Sequence, residues 1–235
     1  GLRTLNGEDI QAQDVQRLDA PEVEWTLSDR GFPITTYGEL NRPDVFVNHA
    51  LGWKSWVEPV AKADLDEEQM DSLIKPERAD MPYFRLLARD PQALKARTLT
   101  DLDIFYNTEG EGMGRAEREI AATVTSRYNG CVYCASVHAG RSVEEAPERL
   151  DHVNALINEG VDADLGSEQW NVIRDASRAL TSTPMAFNQG CIKKLRGVGF
   201  SDLQIVDMIN SVAFFIWANR LMLSLGEPEV PKRFL

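Results

Sequence analysis

Positive charge is scarce in this chain. Against 37 Asp and Glu stand 25 Lys and Arg, and the formal net charge is −12. No basic stripe exists to displace counterions from phosphates, which argues against nucleic acid as a partner. An anionic membrane surface is disfavoured on the same ground. Cysteine is sparse too, at three. An odd number in a chain of 235 residues, long enough to bury a core unaided, does not describe a secreted disulfide scaffold. The opening residues GLRTLNGEDIQAQD carry no basic start followed by an apolar run, so the expectation is a reducing, cytoplasmic location. Long hydrophobic runs are missing. The most apolar, MINSVAFFIWAN at 208–219, is about half the roughly 20 residues of a bilayer span and reads as a buried core helix. No glycine-rich phosphate loop, flavin fingerprint or carboxylate cluster for iron occurs, so no cofactor is expected.

Alternating β-branched runs around Asn-Gly turns are nearly absent, whereas helix signals recur after residue 60. DLDEEQMDSLI places acids where a first turn's free amides favour them. Asp90 can cap a helix that Pro91 opens. GRAEREIAATVTSRYNG runs from Gly114 to a natural left-handed stop at Asn129–Gly130. Ser167 caps a segment with Trp170, Ile173 and Ala176 at helical spacing. Ser201 and Gln204 form a capping-box pair for a helix that closes at Gly226. The fold class is all-α.

Residues 1–60 read differently. They mix Pro, Gly and aromatics without a 3.6-residue period, as an irregular arm that wraps a neighbour or lies over a surface. Trp25, Phe32, Tyr37, Phe46, Trp53 and Trp56 would anchor it by burying apolar area. Residues 61–235 form the helical domain.

The chemistry concentrates in RYNGCVYCASVHAG, residues 127–140. If Gly130 ends one helix and Cys131 starts the next, Cys131, Cys134 and His138 share one helix face. Both thiols then lie near a first turn, whose free amides favour a thiolate, the reactive form. A c-type haem needs histidine directly after the second cysteine, where this chain has Ala135. A thioredoxin-like site needs a preceding strand, and none is indicated. Zinc needs four ligands; Cys131, Cys134 and His138 supply three, leaving His152 or Cys191 as the fourth. Buried thiols without chemistry are the plainest alternative. A dithiol redox site is the favoured reading. Upstream, Glu119 sits at the edge of the preceding helix's inner face, where a carboxylate folding back could accept a proton or orient a base. Both Glu117 and Glu119 would otherwise be solvated charges.

Glu, eleven residues, then Cys-x-x-Cys-x-x-x-His, present as EIAATVTSRYNGCVYCASVHAG, resembles the AhpD-like alkylhydroperoxidase group of the carboxymuconolactone decarboxylase-like superfamily. MPYFRLLARDPQALKA is similar to the helix preceding the core in peroxidase-related members, and GFSDLQIVDMINSVAFFIWANRLMLSLG to their last core helix. The arm with LGWKSWVEPV resembles an extension found in a subset of them. The resemblance implies an AhpD-like helical bundle assembling into a homo-oligomer (dimer, trimer or hexamer). It implies a thiol peroxidase in which Cys134 attacks a hydroperoxide, Cys131 resolves the sulfenic acid, and His138 and Glu119 relay the proton. A thiol reductant would restore the pair. The group's pattern has histidine where this chain has Tyr133; a phenol of pKa near 10 is no base at neutral pH, but it can donate a hydrogen bond to a peroxide oxygen. The resemblance also admits a decarboxylase-type member, although those generally lack the cysteine pair. A non-catalytic oligomer with redox-sensing or zinc-clamped thiols is the alternative from outside enzymology.

The remaining candidates weigh less. Cys191 reads as core, His152 as exposed or capping, and His49 as an arm residue able to reach a site across an oligomer interface. Ser136 lines a pocket or faces solvent. The apolar stripe of 205–217 reads as core or subunit interface.

Overall fold

The structure, a computed structural model, describes residues 39–107 and 110–234. The anchors Trp25, Phe32 and Tyr37 expected for the arm lie outside the described residues. The chain runs β1 (Gly52–Ser55), α1 (Glu67–Ser72), α2 (Pro82–Leu87), α3 (Pro91–Tyr106), α4 (Arg115–Tyr128), α5 (Val132–Glu145), α6 (Leu150–Glu159), α7 (Glu168–Thr181), α8 (Gln189–Gly197), α9 (Asp202–Leu225) and β2 (Gly226–Glu229).

The helices begin where their capping residues predict. Asp90 accepts from the Ala93 amide with Pro91 in the first turn, Ser167 accepts from Trp170, and Ser201 and Gln204 close a reciprocal capping box. The turn between α4 and α5 positions the site. Gly130 takes φ +76°, and the Cys131 amide reaches back to the Ser126 carbonyl at 2.9 Å, the six-residue closure of a Schellman motif. Cys131 therefore finishes the stop of α4 and caps the start of α5.

The main core is built by α4, α5, α6, α7 and α9, with Ile120, Val124, Leu156, Ile173, Met208 and Val212 wholly buried. Burying a side chain of this size contributes about 1.5–3 kcal/mol. Arg118 locks α4 to its surroundings: its guanidinium donates to the Met113 and Ile104 carbonyls and to Asp207 of α9. By length and composition α9 could cross a bilayer, and at 24 residues it is twice the apolar run that marks it. Here it packs against α3, α4 and α7 as a core helix. Its far side leaves Leu203, Val206 and Trp217 exposed. A second cluster around Phe105, Phe214, Phe215 and Met222 holds both cysteines of the pair.

The helical fold class stands with one small addition, and one further expectation needs correction. A small antiparallel pair exists, with Gly52 opposite Glu229 and Ser55 opposite Gly226. Each strand has four residues and β2 reads GEPE, too short and too rich in breakers to show alternation. MPYFRLLARDPQALKA is not one helix: α2 stops and α3 restarts at the Asp90 cap. Residues 39–60 lie over the helical body of their own chain. Phe46 stacks under Arg127 at 4.1 Å, Asn48 donates to Asn154, and Trp56 donates its amide to Leu225.

Candidate active site

Cys134 and His138 line one cavity of about 240 Å³, together with Tyr133, Arg97, Arg141 and Phe215. They stand one helical turn apart on α5, so a common face is what their spacing dictates. Cys131, at the cap, faces the other way into a smaller space beside Trp53, Tyr133 and Met222. Both residues are nearly buried, at 2% exposed for Cys131 and 4% for Cys134. Neither is sealed in hydrocarbon, because each meets polar partners.

Behind the cavity lies a buried chain of polar contacts. His138 Nδ1 pairs with Glu119 Oε2, and Arg115 Nε donates to Glu119 Oε1 at 2.8 Å. Glu119 is 0% exposed and His138 5%. The carboxylate is thus neither at a helix edge nor solvated, contrary to the sequence reading: Arg115, one turn earlier on α4, and His138 on α5 compensate the burial. Burial works to raise the Glu119 pKa and is outweighed by the electrostatic pull and hydrogen bond of His138, helped by Arg141 and Arg115, so the acid sits below its usual range. With Nδ1 committed to Glu119, Nε2 is left without a hydrogen bond among the described residues, on a ring that lines the cavity.

The two sulfurs titrate as a pair. Cys131 is lowered, first by a hydrogen bond from Cys134, against burial, with further help from the Cys134 amide and Asn219. Cys134 is raised well above a normal thiol by the same pairing, by burial and by the neighbouring negative charge, with Asn219 and Arg97 opposing. The pairing thus favours loss of the first proton at the helix cap over loss from Cys134. Asn219 is fixed for this role: it accepts from Asn129 Nδ2 and donates to Ser126 Oγ, each at 3.0 Å. Burial raises the Tyr133 phenol, with the Cys134 charge adding and Arg141 opposing, so it remains a proton donor at neutral pH.

The minor candidates disperse. His152 packs against Gly166 and Cys191 faces a separate cavity beside Arg178. Among the described residues no group of three or more His, Cys, Asp or Glu side chains is placed to hold a metal ion. Ser136 is buried and donates to the Val132 carbonyl, facing neither the cavity nor solvent. His49 stacks on Phe234 with ring centres 4.0 Å apart, away from the cavity within its own chain. Glu117 accepts from the Trp170 indole. Sequence reasoning missed Arg97, Arg115, Arg141 and Asn219 as site residues. Two of them left local signals: Arg141, seven positions after Cys134 on the same helix face, and Arg115, one turn before Glu119.

Residues 91–181 match the carboxymuconolactone decarboxylase family. No curated protein matches the chain in sequence. Among solved structures, the chain is similar to the "alkylhydroperoxidase AhpD core", an uncharacterized peroxidase-related protein from Ralstonia eutropha JMP134, with 23% identity and a TM-score of 0.58, covering 74% of this chain and 90% of that one. A second peroxidase-related protein, from Silicibacter sp. TM1040, shares 24% identity at a TM-score of 0.56 over 83% of this chain and 95% of its own. The debrominase Bmp8, solved in complex with 2,3,4-tribromopyrrole, shares 14% at 0.57, covering 73% of this chain and 89% of that one.

Proposed function

We propose that this chain, which carries a carboxymuconolactone decarboxylase family domain in an AhpD-like fold, is a thiol peroxidase that reduces organic hydroperoxides through the Cys131–Cys134 pair. The observation that carries the reading is the joint presence of Cys134 and His138 on one cavity, with Glu119 behind the imidazole and a second sulfur hydrogen-bonded to the first.

His138, one turn from Cys134, takes the thiol proton, directly or through a cavity water, and Glu119 stabilises the imidazolium that results. The Cys134 thiolate attacks the outer peroxide oxygen. The S–O bond forms as the O–O bond breaks, and the departing alkoxide takes the proton from His138 and leaves as alcohol. Cys131, already inclined to the thiolate, then attacks the Cys134 sulfenic acid, forming the disulfide and releasing hydroxide, which is protonated to water. Two thiols of an external carrier reduce the disulfide. One hydroperoxide and two carrier thiols become one alcohol, one water and one carrier disulfide. Tyr133, which lines the cavity, donates a hydrogen bond to a peroxide oxygen and holds it, and does not act as a base.

The test is trapping with a sulfenic-acid reagent after one equivalent of cumene hydroperoxide. Cys131→Ser should be trapped at Cys134, whereas Cys134→Ser should leave the peroxide unconsumed. Full consumption by Cys134→Ser overturns the assignment.

A further inference from the structure

The cavity at Cys134 is basic in a strongly acidic protein. Arg78, Arg97 and Arg141 line it against a single Asp101, while the whole chain carries −12. Each arginine is held differently. Arg78 is engaged elsewhere: it donates to the Leu73 carbonyl and stacks over Phe84 at 5.0 Å. Arg97, from α3, has a side chain only 11% exposed, and its nearest carboxylate oxygen, on Asp101, stands at 3.5 Å. Its Nε is buried and finds no partner, although a buried guanidinium donor left unpaired is costly. Arg141, from α5, makes no ion pair among the described residues and lies on the face of Cys134 and His138, half-buried.

Arg141 without an ion pair, beside an Arg97 that meets Asp101 and Tyr83 but leaves Nε unpartnered, on a largely aromatic and aliphatic wall, suits a ligand with an apolar body and one anionic end. The body fits against Val137, Phe215 and Met222. Resting on the peroxidase reading above, we propose that the preferred substrate is an amphipathic hydroperoxide bearing a carboxylate, whose anionic end is bound by Arg97 and Arg141 while its peroxide faces Cys134. A carboxylate accepts from a guanidinium in paired geometry, which fixes orientation as well as affinity.

The experiment has two arms. In the first, dithiol oxidation is timed with 4-carboxycumene hydroperoxide and with neutral cumene hydroperoxide. The wild type should favour the acid in kcat/KM by tenfold or more. Arg141→Gln should collapse that ratio by at least tenfold, mainly through KM, with Arg141→Lys intermediate. In the second arm, 4-isopropylbenzoate, which carries no peroxide, is titrated calorimetrically into the Cys134→Ser protein, with and without Arg141→Gln. Binding lost on Arg141→Gln supports the anion site even if no peroxide is consumed, in which case the peroxidase reading alone fails. Equal rates for both peroxides, or benzoate binding indifferent to Arg141, overturns the proposal.

Discussion

His138 Nδ1 on α5 meets Glu119 Oε2 on α4 in a buried contact spanning nineteen residues of sequence. The pairing fixes which imidazole nitrogen is occupied, and Arg115 holds the other carboxylate oxygen. A histidine oriented this way leaves Nε2 open on the cavity side of the ring.

Removing the charge of Glu119 while keeping its shape tests that role. Glu119→Gln should slow peroxide-driven oxidation of the thiol pair by about 10²-fold near neutral pH, the low end of what a positioned acid–base group contributes. Stopped-flow measurement of thiol loss provides the check. An unchanged rate would assign Glu119 to structure alone.

The same carboxylate sets an acid limit on stability. Its folded pKa lies below the unperturbed 4.5, so the unfolded chain binds the proton more readily. The stabilisation is complete above that range and is lost as pH falls from about 4.5 through the lower folded value. Thermal melts from pH 6 to pH 3 (roughly the carboxylate range) should show a downward slope that is shallower in Glu119→Gln. Identical slopes contradict the pairing.

Asn219 reaches the sulfurs from α9. Its carboxamide favours the charged form of both cysteines while anchored to Asn129 and Ser126. Asn219→Ala should therefore shift the pair's first titration upward. The pH profile of iodoacetamide alkylation reads this directly: the midpoint moves to higher pH, with slower reaction at neutrality. A midpoint that stays in place removes Asn219 from the site.

Close approach of β1 and β2 depends on Gly226. A β-carbon there would stand 2.2 Å from the Lys54 carbonyl and 2.4 Å from the Trp53 ring. Gly226→Ala should cost about 1–3 kcal/mol, the range for forced overpacking, and open the pair that covers the Cys131 side. Chemical denaturation measures the loss; a wild-type midpoint would mean the pair contributes nothing.

What could be read from the chain beforehand divides along sequence distance. The caps at Asp90, Ser167 and Ser201, the stop at Gly130, and the shared face of Cys134 and His138 depend on residues within a few positions of one another, and the structure reproduces them, whereas Cys131, expected on that face, lines a separate space from the cap. The burial of Glu119 was misread because its histidine partner is on the next helix. Arg97 and Asn219 come from α3 and α9, and nothing adjacent to them signals a sulfur. The two short strands escaped notice because each finds its partner about 170 positions away, from Gly52 to Glu229 for instance, with turn-forming residues inside both.

The most direct measurement is the count of free thiols per chain as hydroperoxide is added to the reduced protein under anaerobic conditions. One equivalent should remove two thiols, with the mass falling by two hydrogens and a Cys131–Cys134 linkage appearing in peptide maps. Retention of all three thiols, with the peroxide recovered intact, would contradict the account.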